Sequence, residues 1–97
     1  MRFEWDEVKR ATNLAKHGVD FADVPELFSG PMLIGHDTRR EYGEPRQIGF
    51  GFMRGRLVAL AFTKRGPDTI RVISARKANK REETYFKETL ENELGKN

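Results

Sequence analysis

The chain has 97 residues, 37% of them hydrophobic, carries a formal net charge of +3 and contains no cysteine. That length and composition suit one domain over residues 1–97 with a small core, and they exclude wholesale disorder, disulfides, thiolate catalysis and cysteine-based zinc sites. No apolar run approaches the roughly 20 residues that span a bilayer, and Met1-Arg2-Phe3-Glu4-Trp5-Asp6 puts acids where a signal peptide needs an apolar stretch, so a cytoplasmic protein without a membrane partner is expected.

A short opening strand leads to a helix that Asp6 can cap, with Val8, Ala11, Leu14 and Ala15 on one face and Gly18 as its stop. A second short helix is expected over Phe21 to Ser29, with Phe21, Val24, Leu27 and Phe28 as its apolar side. Pro25 fits its first turn if Asp23 is the cap, and would break an α-helix begun at Asp20. Strands follow: Met32 to Ile34, then a polar loop from Asp37 to Glu44, then the alternating run Arg46 to Phe52. Gly49 and Gly51 in that run leave room for another backbone or a ligand, or permit strong twist. Arg54-Gly55 reads as a two-residue hairpin turn, Leu57 to Phe62 as a central strand, Gly66-Pro67-Asp68 as a turn and Thr69 to Ala75 as a last strand. Asn79 and Glu82 form a capping-box pattern opening a final helix, with Phe86, Leu90 and Leu94 as its apolar stripe and Gly95 as its end. The order implies an α+β fold: two N-terminal helices, an antiparallel β-sheet meander and a C-terminal helix.

Charge is unevenly spread. Residues 63–81 hold seven bases and one acid, whereas residues 1–30 and 82–97 are net acidic. So steep a local excess points to a polyanion, with a solvated basic face as the plain alternative. Within it, Arg71 lies mid-strand, where an unpaired cation is costly to bury. Either it meets a carboxylate such as Glu44, or a rigid strand presents its planar fork to a phosphate. Arg76 and Lys77 extend that cationic site, and Lys64 lies in the preceding turn as a solvated residue or a phosphate contact. The loop contributes Arg39, Tyr42, Glu44 and Arg46, residue types suited to acid–base work on a ribose hydroxyl and a phosphate, and equally at home in any polar loop. His17 and His36 show no metal-ligand spacing, and neither a P-loop nor a nucleophile elbow is present, so no metal or other cofactor is expected.

Taken together, Phe3-Glu4-Trp5-Asp6, Lys9, Asn13, Lys16-His17-Gly18-Val19 and Phe21 begin a pattern that continues through Arg39, Tyr42-Gly43-Glu44 and Arg46. It ends with Arg71, Ser74-Ala75-Arg76-Lys77-Ala78, Glu82 and Tyr85. This pattern resembles the BrnT toxins of bacterial type II toxin–antitoxin systems; Pro25 and the Gly-Phe repeat at 49–52 depart from it. The resemblance implies a RelE-like fold and a metal-independent ribonuclease that inhibits translation. It also implies a BrnA-like ribbon-helix-helix antitoxin as partner, with operator DNA bound only through the complex. On that reading the RNA 2′-hydroxyl attacks the adjacent phosphate. Arg71 and Arg76 would stabilise the phosphorane, Glu44 would act as base or orienting group, and Tyr85 would stack or donate a proton. Arg46, Lys77, Lys64 and Arg39 would bind the RNA. Two alternatives stay open: a non-cleaving RNA-binding module, and an inactive subunit that only binds the antitoxin in a repressor complex.

Overall fold

Asp6 separates strand β1 (Arg2–Glu4) from helix α1 (Glu7–His17), its carboxylate accepting from the Val8 and Lys9 N–H groups at 2.8 and 3.1 Å. Two donors that a helix start leaves free are thereby satisfied. Gly18, at φ 70°, closes the helix in the left-handed conformation. The face turned inward is not the expected one. Val8 is 76% exposed and Ala11, Leu14 and Ala15 also face solvent, whereas Asn13 is buried and Arg10 and His17 are half-buried. Polar bonds seat this helix. Asn13 Nδ2 donates to the carbonyls of Ala75 (2.8 Å) and Val19 (2.9 Å), its Oδ1 accepts from the Ala75 N–H (3.1 Å), and Arg10 pairs with Asp20 at 2.7 Å.

Residues Phe21–Ser29 are helical, but as a 3-10 helix with Asp20 as its cap. Of the two N-terminal helices expected, the first is an α-helix and the second is wound as a 3-10 helix. Pro25 has no N–H to close an α turn, and its ring would crowd the carbonyl four residues back. The spacing agrees: Phe21, Val24 and Leu27 repeat every three residues, the period of a 3-10 turn, and all three are fully buried.

Four further strands, β2 (Met32–His36), β3 (Gln47–Met53), β4 (Arg56–Arg65) and β5 (Thr69–Lys77), precede helix α2 (Lys80–Leu94) in this computed structural model, which describes residues 1–95. The sheet order is β1-β5-β4-β3-β2. Strands β2 to β5 form the expected antiparallel meander, while β1 lies parallel to β5 at one edge, so the sheet is mixed. The crossover from β1 to the far edge carries α1 and the 3-10 helix over one face. Strand β4 runs to Arg65 and takes in Lys64, which the sequence reading placed in a turn. Arg54 and Gly55 both have positive φ (52° and 76°), the backbone of a tight hairpin turn, and Glu26 accepts the Arg54 N–H.

Cross-strand register assigns the faces. Phe62 with Val72 and Leu60 with Ala75 point toward the 3-10 helix and complete the core with Phe21, Val24 and Leu27. Gly49 and Gly51 share this face. A Cβ on Gly51 would stand 3.0 Å from Met32 Cγ and 3.4 Å from the Leu27 carbonyl oxygen, so the missing side chain is what lets the 3-10 backbone approach. The second face carries Leu33, Ile48, Phe50, Phe52, Leu57, Ala59 and Ala61, and α2 crosses it. Phe86 is buried edge-on against Phe52 at 5.3 Å, Leu90 is half-buried and Leu94 is 70% exposed, so one residue of the expected stripe anchors the helix.

Strand β5 contains one irregularity. Phe62 aligns with Val72 and Ala61 with Ser74, leaving Ile73 as an extra residue. Such a bulge reverses the alternation beyond it. Ser74 therefore joins the side of Arg71, and Ala75 joins that of Val72, contrary to the regular strand read from the sequence. Among the described residues, no helix is long and apolar enough to cross a membrane.

Candidate functional site

The bulge has a direct effect on charge. Arg71 and Arg76, five residues apart, would face opposite sides of a regular strand. With Ile73 inserted, Arg71 aligns with Thr63 and Arg76 with Ala59, both on the second face. Each is met by a carboxylate. Arg71 pairs with Glu4 of β1 at 2.8 Å, and not with Glu44. Arg76 makes a two-pronged pair with Glu82, Nη1 to Oε1 and Nη2 to Oε2, both 2.8 Å, and remains 39% exposed. Glu82 also accepts the Asn79 N–H at 2.9 Å as part of the capping box that starts α2. One carboxylate thus fixes both a helix end and a guanidinium, a bidentate geometry that limits the fork's freedom.

The loop between β2 and β3 brings in a third cation. Asp37, its side chain 2% exposed, accepts from Arg39 Nε and Nη2 at 2.8 Å each, from the Arg39 N–H at 3.2 Å and from the Tyr42 hydroxyl at 3.0 Å. These bonds, the Arg39 side chain's above all, hold the Asp37 carboxyl far below the ordinary carboxylate range. The Arg39 charge reaches the β5 site. Glu82 is held low chiefly by Arg76, then by the Asn79 N–H, with Arg39 adding to the effect. Arg76 is raised by Glu82 and opposed by Arg39. Two guanidinium groups from different elements, Arg39 fixed by Asp37 and Arg76 fixed by Glu82, therefore act on one another through their charge.

Because Asp37 titrates below its ordinary value in the fold, its contribution to stability is complete above about pH 4 and is lost as pH falls toward the depressed folded value. An Asp37→Asn variant is expected to show a flatter fall in urea midpoint between pH 5 and pH 3 than the parent protein. Parallel curves for the two would remove the loop carboxylate from that role.

The other expected residues lie around this centre. Arg46 stacks on the Tyr42 ring at 4.2 Å and bonds Glu44 at 3.4 Å, and Glu44 also meets Arg65 at 3.3 Å. Glu44 is thus held between two arginines of the loop and β4. Pro45 accepts from Thr63 Oγ1 at 2.6 Å, which fastens the loop beside Arg71's cross-strand partner. Tyr85, 60% exposed and one turn beyond Glu82, borders a hollow of about 320 Å³ with Leu33, Ile48 and Phe50. Lys77 aligns with Val58 and Lys64 with Ile70, so strand alternation puts both on the face covered by the 3-10 helix, away from Arg76. Sequence reasoning overlooked Asp37, and it read Glu82 only as a cap. The capping box was a visible signal, but the bond from Glu82 to Arg76 crosses between elements and left none.

Residues 5–82 match the family described as the ribonuclease toxin BrnT of type II toxin–antitoxin systems. The chain belongs to the BrnT family. Its fold is similar to the 1.1 Å crystal structure of the Brucella abortus ribonuclease toxin BrnT, with 34% identity and a TM-score of 0.62, covering 82% of this chain and 99% of that one. No curated protein matches this sequence. The BrnT match ends at Glu82, so both guanidinium groups and both carboxylates that hold them fall inside it. As a member of a ribonuclease-toxin family, the chain implies an antitoxin partner.

Proposed function

We propose that this BrnT-family chain cleaves RNA without a metal ion, by attack of a 2′-hydroxyl on the neighbouring phosphate, and thereby inhibits translation in the cytoplasm. A BrnA-like ribbon-helix-helix antitoxin neutralises it, and operator DNA is engaged only through that complex. One observation carries the reading: Arg76 at the end of β5 is exposed and held by a bidentate carboxylate, and the loop's Arg39, held in the same way, lies near enough for its charge to act on that pair. Fixed guanidinium groups favour the charge that develops on a phosphorane and need no reorganisation as it forms. In this arrangement Arg76 and Arg39 bind the scissile phosphate, and Arg71 and Arg46 flank it. Tyr85 stacks a base over the apolar hollow or donates a proton to the leaving oxygen. Glu44 takes the proton of the attacking 2′-hydroxyl or orients Arg46, and Lys64 and Lys77 meet the RNA outside the centre.

Purified protein incubated with RNA in chelator is expected to yield fragments with 2′,3′-cyclic phosphate and 5′-hydroxyl ends. Intact RNA, or cleavage abolished by the chelator, would overturn the proposal. A second reading has its own supporting observation: Arg39, Arg46, Arg71 and Arg76 all have carboxylate partners already. A chain that binds its antitoxin tightly, leaves RNA whole and causes no growth arrest would be the inactive subunit of a repressor complex.

A further inference from the structure

Arg39, Arg46, Arg71 and Arg76 each meet a carboxylate, but a set of cations at one corner of the sheet does not. Arg56 opens β4 and Lys77 ends β5, and Lys77 aligns with Val58, two residues along β4 from Arg56. Both therefore lie on the face covered by α1 and the 3-10 helix, where they border a hollow of about 200 Å³ with Gly18 and Val19. Asp20 and Asp23 line the same hollow, but Asp20 is held by Arg10 and Asp23 by Arg54. Lys80 and Arg81 follow in the first turn of α2, with Lys80 bordering the second face beside Leu57. All four are exposed, and among the described residues none of them has a carboxylate within salt-bridge distance. At the opposite end of β4, Arg65 is paired with Glu44 and, among the described residues, Lys64 stands without a carboxylate partner.

Resting on the cleavage reading above, we infer that Arg56, Lys77, Lys80 and Arg81 form a phosphate track. It carries the RNA strand around the end of β5, on the side of Lys77, away from the Arg76 centre. Arg76 and Lys77 are consecutive and point to opposite faces, so a strand engaged at Arg76 and passing round this corner meets Lys77 and Arg56 on the other side. Unpaired cations are the ones whose counterions a nucleic acid releases, and these contacts hold backbone without reading sequence. The track therefore acts on binding and leaves the bond-breaking step alone.

The test is an Arg56→Gln, Lys77→Gln, Arg81→Gln triple variant, assayed on RNA beside the parent chain and beside Arg2→Gln at the far edge of the sheet. For the triple variant, KM is expected to rise roughly tenfold, with the single-turnover rate at saturating RNA unchanged. The slope of log affinity against log salt should become shallower by about 2, as three lost single-strand contacts require. Arg56→Lys and Lys77→Arg should keep the parent's KM, since charge and not shape is used. An unchanged KM and salt slope in a folded triple variant would overturn the track. So would an unchanged RNA affinity accompanied by weaker antitoxin binding, which would assign the corner to the protein partner. If the parent itself leaves RNA intact, the cleavage reading fails, and the salt slope of RNA binding still decides the track.

Discussion

Replacing Arg76 by alanine is expected to lower the RNA cleavage rate about 100- to 1000-fold, the loss typical of removing one fixed donor from developing oxyanion charge. The fall should appear in kcat more than in KM, because the guanidinium acts on charge that is greatest at the phosphorane. Arg76→Lys should recover little of it. Lysine offers a point charge in place of the planar fork that Glu82 grips with two 2.8 Å bonds. Glu82→Gln should lose less, since the amide oxygen can still accept one bond from Arg76 while the electrostatic hold weakens. Circular dichroism should show all three variants folded. An Arg76→Ala protein that is folded and cleaves at the parent rate would remove Arg76 from the chemistry.

Asn13→Ala is expected to destabilise the domain by about 3 kcal/mol, read as a shift in the urea midpoint with little change in slope. The size follows from what the amide touches. It serves both backbone groups of Ala75 and the Val19 carbonyl, all at a buried position, and alanine would leave them without that partner. Asn13→Asp should also destabilise, because a carboxylate cannot donate to two carbonyls and would face them with like charge. These bonds have a clear place in the fold. β1 covers β5 only from Thr69 to Arg71, so beyond that point the outer edge of β5 has no strand beside it, and Asn13 pairs with that edge at Ala75. An unchanged midpoint for Asn13→Ala would show that other contacts or solvent replace them without loss.

Much of the fold could be read from local chemistry. The Asp6 cap, the Gly18 stop, the Arg54-Gly55 turn and the Asn79–Glu82 box act within a few residues, and each operates in the structure as expected. The inward face of α1 was misjudged for a physical reason. Apolar periodicity marks a buried face only when apolar burial seats the helix; here an asparagine does so through bonds to residues 6 and 62 positions away. The winding of Phe21–Ser29 was recoverable, because Phe21, Val24 and Leu27 repeat every three residues. The bulge was not, since Ile73 is an ordinary strand residue and its surplus shows only against β4.

The candidate site divides along the same line. The residue types and the basic segment were legible, but which face Arg76 takes, and so whether it joins Arg71, depends on register, and the pairings of Arg71 with Glu4 and Arg76 with Glu82 depend on tertiary approach. Arg56 drew no attention beside its neighbours. Its role shows only once the structure places it beside Lys77 at one hollow.

The surplus residue at Ile73 also bears on how relatives of this chain should be aligned. From Arg71 to Arg76 the chain spends one position more than a flat pleat requires. A homologue with a single deletion there would carry its two guanidinium groups on the same side by plain two-residue alternation. That interval is thus a place in the sheet where length can drift by one without turning the surface inside out, and a gap in it does not argue against a shared site.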